Sequence, residues 1–183
     1  LLSGCIGGSG NTASSITNTT FIDWDSLEKP TQVNLTGLST DIFYTTDAGI
    51  NNVATVTKQG TDLTATATVT YQSDGTISQI GVTTQNGTVN FDKDNGDIID
   101  NDSAVMYAYD LVAEDFMLAV NPLFSGLDWN YQTFGIWETG RGTGSGTAGG
   151  MSVGAATAGS SIPTSSSATY SGVFGGAAVD ADG

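Results

Sequence analysis

The densest set of oxygen ligands in the chain is the run Asp92-Lys93-Asp94-Asn95-Gly96-Asp97-Ile98-Ile99-Asp100-Asn101-Asp102. Asp92, Asp94, Asp97, Asp100 and Asp102 offer hard carboxylate donors, and Gly96 offers a tight bend, which together are what a calcium loop needs. The match to an EF-hand loop is partial, because the fifth and twelfth positions are Gly96 and Ser103 rather than Asp or Asn and a bidentate Glu. The same residue types also build solvated turns, since Asp, Asn and Gly tolerate left-handed backbone. A calcium site at these five aspartates and a plain acidic hairpin turn are both open readings. Asp23, Asp25, Glu28, Glu114, Asp115 and Glu138 could supply the paired carboxylates of a glycosidase, or simply a solvated acidic surface. The aromatic stripe Trp129, Tyr131, Trp137 with Phe134 could stack on a sugar or fill a core.

Composition narrows these options. The 183 residues carry 19 acidic and 4 basic side chains and no histidine, for a formal charge of −15. Imidazole-based triads and most catalytic zinc sites are excluded within this chain. Lys29, Lys58, Lys93 and Arg141 stand singly, so there is no cationic footprint for nucleic acid. Gly140 to Gly150 is rich in glycine but lacks the Lys and the following helix of a phosphate loop. No apolar run reaches the roughly 18 residues of a membrane-spanning helix. The expectation is a protein without enzymatic chemistry.

The elements that would position these residues are strands. Thr31 to Gly37, Asp41 to Thr45, Val53 to Lys58 and Ile77 to Thr84 read as short strands, and Leu63 to Tyr71 places Leu, Ala, Ala, Val and Tyr on one face with Thr on the other. Asn86-Gly87 has the signature of a type I′ hairpin leading into Thr88 to Phe91. Ser103 to Val120 fits either a helix or a pair of strands. Leu127 to Thr139 alternates aromatics as one long strand, Gly140 to Gly150 reads as a flexible loop, and Met151 to Ala156 and Ala168 to Ala178 read as further strands. Strand-interior glycines point to barrel corners. The change in texture after Asn121-Pro122 sets an expected boundary.

Two resemblances add to this reading. Leu2-Ser3-Gly4-Cys5 resembles the lipobox of bacterial lipoproteins, in which the Cys thiol takes a diacylglyceryl group and its freed amine is acylated. Two or three acyl chains anchor stably where one does not. Ile6 is not the Asp that commonly signals retention at the inner membrane, and Gly7 to Thr20 is composed like a flexible tether. The single Cys leaves no partner for a disulfide within the chain. Trp129 to Trp137, Gly140 to Gly146, Ser152 to Thr157, Ile162-Pro163-Thr164 and Ala168 to Gly172 are together similar to the transferrin-binding-protein-like (TbpB-like) surface lipoproteins of Gram-negative bacteria.

That resemblance covers about the last third of the chain. It implies an all-β architecture: a lipobox remnant and tether over 1–20, an antiparallel handle over 21–122, and the opening strands of an eight-stranded barrel over 123–183, truncated or completed by another chain. It also implies an outer-membrane, surface-exposed protein, lipid-anchored at Cys5, that captures an unknown protein or small-molecule ligand in the manner of iron or haem acquisition. Partner-contacting loops vary within the family, so no ligand-binding residue carries over. Without histidine, Met106, Met117, Met151 and the tyrosines are the remaining haem-ligand candidates. The alternative is a structural role, in which an acidic Thr/Ser/Gly-rich β protein with an open edge self-associates by strand addition.

Overall fold

The computed structural model describes residues 23–46, 53–124 and 130–155. Their regular structure is strand, apart from single turns of 3-10 helix at Lys93–Asn95 and Arg141–Thr143. The strands are β1 (Thr31–Thr46), β2 (Val53–Tyr71), β3 (Ile77–Thr83), β4 (Thr88–Asp92), β5 (Ile98–Asp100), β6 (Val105–Tyr109), β7 (Phe116–Val120), β8 (Gln132–Glu138) and β9 (Ser145–Gly154). They form one antiparallel sheet in the order β4-β3-β2-β1-β9-β8-β7-β6-β5. The sheet curls until its two edges, β4 and β5, come together, which gives a nearly closed barrel. At the seam the Asp92 amide donates to Asp97 Oδ2 at 2.8 Å and the Asp97 amide to the Asp92 carbonyl at 3.3 Å. The fold is all-β and barrel-like, as the alternation predicts.

Period-two patterning explains what lies inside. On β2, Ala65, Ala67, Val69 and Tyr71 are buried while Thr64 and Thr66 are exposed. On β1 the inward positions are Val33, Leu35, Gly37, Ser39 and Asp41. Val82, Val89, Phe91, Met106, Ala108, Met117, Ala119, Met151 and Val153 complete the core from the other strands. Trp24 joins it from outside the sheet, its Nε1 donating to the Tyr71 hydroxyl at 2.9 Å and its amide to the Asn130 carbonyl at 2.8 Å.

Several boundaries differ from the pattern-based reading. The short strands expected on either side of Ser39 and of Gly60 are continuous, giving strands of 16 and 19 residues. The irregular residues are absorbed as register shifts at Ser39/Asp41 and Asp41/Ile42 rather than as turns. Ser103 to Val120 resolves as β6 and β7, because the Asp110 carboxylate accepts from the Val112 and Ala113 amides and turns the chain between them. The expected loop at Gly140 to Gly150 is largely β9, whose Gly146 and Gly149 let Tyr44 and Trp137 close over its two faces. The boundary expected at Pro122 falls inside the sheet: β7 pairs with β8 across it, and β1 pairs with β9. One core serves both sides.

Phe91 is buried on β4, and truncating a buried Phe typically costs about 3–5 kcal/mol. Phe91→Ala is expected to lower the free energy of unfolding by about that amount, read by chemical denaturation. Thr66→Ala, on the exposed face of β2, is expected to change it by less than about 0.5 kcal/mol.

Candidate functional site

The unusual chemistry of the fold lies inside the barrel. Asp41 is 0% exposed, an acid standing on the core face of β1. Its Oδ2 accepts from the Thr84 hydroxyl at 2.6 Å and from Asn86 Nδ2 at 3.3 Å, both in the turn between β3 and β4. Its Oδ1 has no hydrogen-bond partner among the described residues, and neither does Oγ of buried Ser39 nor Nε1 of buried Trp137. Asp41 and Trp137 are the lateral partners of Gly149 on the two strands flanking it. Directly opposed residues in an antiparallel sheet share a face, so both side chains enter the interior over the bare backbone of Gly149.

Trp137 then crosses the barrel. A Cβ placed on Gly149 would stand 2.8 Å from its Nε1, and one placed on Gly87 would stand 2.5 Å from its Cη2. The indole is thus laid over one glycine and stopped by another. This corrects the hairpin reading. Neither Asn86 nor Gly87 has the positive φ that a type I′ turn requires. Thr83 pairs with Thr88, and the Thr84 amide donates to the Gly87 carbonyl at 2.8 Å. Asn86 is held to reach Asp41, and Gly87 to receive Trp137.

A second group gathers at the barrel rim. The buried Tyr44 hydroxyl donates to the Thr139 carbonyl at 2.8 Å. Burial first, then the neighbouring Glu138 and Asp115 carboxylates, push its pKa far up, against a smaller opposite effect of Arg141. Asp115 Oδ1 accepts from the Gly140 amide at 2.8 Å, yet burial still raises its pKa above the ordinary carboxylate range. Of the six carboxylates that could have formed a glycosidase pair, Asp115 and Glu138 meet here around a phenol already committed to a carbonyl. Asp25 and Glu28 are exposed, and Asp23 Oδ1 accepts from the Ser26 amide at 2.6 Å.

The acidic run is laid out along the chain. Asp92 ends β4, Asp94 lies in the 3-10 turn, Asp97 follows it, Asp100 ends β5, and Asp102 lies in the next turn. Asp92 Oδ1 accepts from the Asp94 amide, Asp97 Oδ2 from the Asp92 amide, and Asp100 Oδ1 from the Asp102 amide, while Asp92 Oδ2 takes Gln79 Nε2. Among the described residues, no three His, Cys, Asp or Glu side chains are grouped as a metal site.

Trp137 is core, whereas Tyr131, expected on the same face, precedes β8 and is exposed. Met106, Met117 and Met151 are buried in the hydrocarbon core. Cys5 and Trp129 lie outside the described residues.

Among the described residues, the large apolar side chains exposed are Phe43 on β1, Val56 on β2, Phe124, Tyr131 and a group of five on β5, β6 and the turn after β6. Ile98 on β5, Val105 and Tyr107 on β6, and Leu111 and Val112 in the following turn all face outward, with Val112 93% exposed. Tyr107 stacks on Tyr109 with ring centroids 6.2 Å apart. Asp97, Asp100, Asp102 and Asp110 border this patch in the chain. Pattern reading missed both the interior Asp41 and this patch, although the parity of Val33, Leu35, Gly37 and Ser39, carried on unbroken, places Asp41 inside.

Comparison with protein-family models, curated proteins and solved structures finds no match to this chain.

Two predictions follow from the geometry of this region. Gly87→Ala is expected to lower the melting temperature markedly, since its methyl would collide with Trp137 while neighbouring Gln85→Ala leaves it nearly unchanged. Equal melting temperatures for the two variants would remove Gly87 as the stop for the indole. A carboxyl whose folded pKa is raised stabilises the fold below its unfolded pKa and loses that contribution as pH rises through the folded value. Asp115 is therefore carried at a cost at neutral pH. Asp115→Asn keeps an acceptor for the Gly140 amide, so it is expected to raise the melting temperature near pH 7, with the gain shrinking toward zero as pH falls to about 3.

Proposed function

We propose that this chain is a non-enzymatic, lipid-anchored protein of the outer-membrane surface whose barrel binds a protein partner or ligand, in the manner of the transferrin-binding-protein-like lipoproteins it resembles. The observation that carries the binding reading is the apolar and aromatic strip of Ile98, Val105, Tyr107, Leu111 and Val112 with its acidic border. Exposed apolar side chains gathered on one side and rimmed by polar ones mark interaction surfaces. A chain of charge −15 favours a partner that presents basic residues around an apolar centre. The barrel interior is filled with side chains, which leaves its outside and its loops for recognition.

The anchor rests on Leu2-Ser3-Gly4-Cys5 and the tether composition after it. A lipid on Cys5 would hold the barrel at the membrane through the Gly/Ser/Asn/Thr-rich stretch that follows it. Self-assembly by strand addition would have to use residues 53–65 of β2, which pair with β1 alone among the described strands, since the terminal strands β4 and β5 are five and three residues long and lie beside one another. Short, covered edges resist pairing with a second chain.

The test is affinity capture with a soluble form beginning at Asn11, run in parallel with a Val105→Asp/Tyr107→Asp variant. A saturable partner retained by the parent and lost at least tenfold by the variant supports the reading. A partner retained equally by both removes the strip from it, and recovery of the chain's own copies alone favours self-assembly.

A further inference from the structure

We infer that the barrel interior holds a structural water molecule between Asp41, Ser39 and Trp137. The observation is that three polar atoms on two adjacent interior layers are buried without a partner among the described residues: Asp41 Oδ1 and Trp137 Nε1 on either side of Gly149, and Ser39 Oγ one inward position further along β1. Their residues are 0%, 3% and 1% exposed. Buried polar groups are nearly always satisfied, and leaving one unsatisfied costs its full desolvation. Three such groups together would cost a large part of the stability of an ordinary domain.

Placement brings them to one locus. Ser39 and Asp41 are alternate residues of β1, so both point inward about 7 Å apart along the strand. Trp137 approaches from β8, on the far side of β9, and its Nε1 leans over Gly149 to 2.8 Å from the point a Cβ would take. Since Gly149 is directly opposite Asp41, nothing grows from β9 between the indole N–H and the carboxylate.

The chemistry of the three atoms selects the occupant. Trp137 Nε1 only donates, Asp41 Oδ1 as a carboxylate only accepts, and Ser39 Oγ does either. A metal cation would confront the indole N–H. An anion would confront the carboxylate. Water accepts from Trp137 while donating to Asp41 and exchanging a bond with Ser39, and buried waters typically make about three hydrogen bonds of this kind. The walls set the size: Met151 stands beside Ser39, Leu35 and Val153 fill the core beyond it, and the Thr84–Gly87 turn closes the site on the opposite side. The water thereby connects β1 to β8, while Asp41 Oδ2 connects β1 to the β3–β4 turn.

A crystal structure of the full chain, refined where ordered solvent is visible, should show an oxygen within about 3.2 Å of both Asp41 Oδ1 and Trp137 Nε1. Its density should be the same in sodium, potassium and calcium salts. In solution, oxygen-17 relaxation dispersion should detect a long-lived internal water in the parent. That signal should be lost or shortened in Trp137→Phe, with Ser39→Ala as a milder second variant if the first folds poorly. A direct hydrogen bond from Trp137 to Asp41, density that changes with the salt, or no long-lived water in the parent would each overturn the inference.

Discussion

A curled sheet of nine strands stays open or collapses unless something reaches across its interior. Here the crossing is made at one level by two side chains, Trp137 from β8 and Asp41 from β1, which both end on the turn between β3 and β4. Their separate strands are joined to that turn through space rather than through the ladder. The crossing explains why three neighbouring positions have the residues they have. Gly149 lets the indole lie flat on β9, Gly87 gives its far edge somewhere to stop, and Asn86 turns inward instead of occupying a left-handed corner. A buried carboxylate is costly unless hydrogen-bonded, and the Thr84 hydroxyl at 2.6 Å is the strongest offset it receives. At the other end of the strands, Trp24 and Tyr71 perform the same closure with a neutral pair.

The acidity of the chain has a local structural use. Asp23, Asp74, Asp92, Asp97, Asp100, Asp110 and Asp115 each accept a hydrogen bond from a main-chain amide in a turn or at the seam. Turns leave amides unpaired, and a nearby carboxylate satisfies them with a charge-assisted bond. An antiparallel barrel needs many turns and has few lysines here to supply other chemistry. Asp74 illustrates the consequence: hydrogen bonds from the Thr76 amide and hydroxyl hold its carboxyl below the ordinary range. The same bonds draw the carboxylates of the 92–102 run toward their own backbone rather than toward a common centre.

What was legible in the sequence was whatever depended on one strand at a time. The Leu63 to Tyr71 alternation gives the buried face of β2 residue by residue, and Ser103 to Val120 was readable as paired strands once the Asp110 turn is seen. What depended on a second strand was not. Asn86-Gly87 is a strong local turn signal, yet a carboxylate 45 residues away and an indole 50 residues away decide its shape. Gly140 to Gly150 has the composition of a loop, and only the bulk of Tyr44 over Gly146 on one face and of Trp137 over Gly149 on the other makes glycine worth having in this strand. Asp41 is one acid among 19, and its burial follows from parity combined with where the neighbouring turn ends.

The outside of the barrel is divided in a way that the inside is not. Over 64–70 the outward face of β2 is threonine, with Thr68 contacting Asn34 on β1 and Thr70 contacting Gln79 on β3 through side-chain hydrogen bonds, while Val56 is exposed nearer its start. On β5 and β6 the corresponding outward positions are Ile98, Val105 and the stacked Tyr107 and Tyr109. Both halves line the same core and obey the same alternation, so folding alone does not require the difference. A threonine face is well solvated and resists association, whereas exposed aromatic and aliphatic side chains carry a cost in water that burial against a partner would remove. With the interior closed by Trp24, Trp137 and Asp41, the binding proposed for this chain would use the side of the exterior that carries Ile98, Val105 and Tyr107.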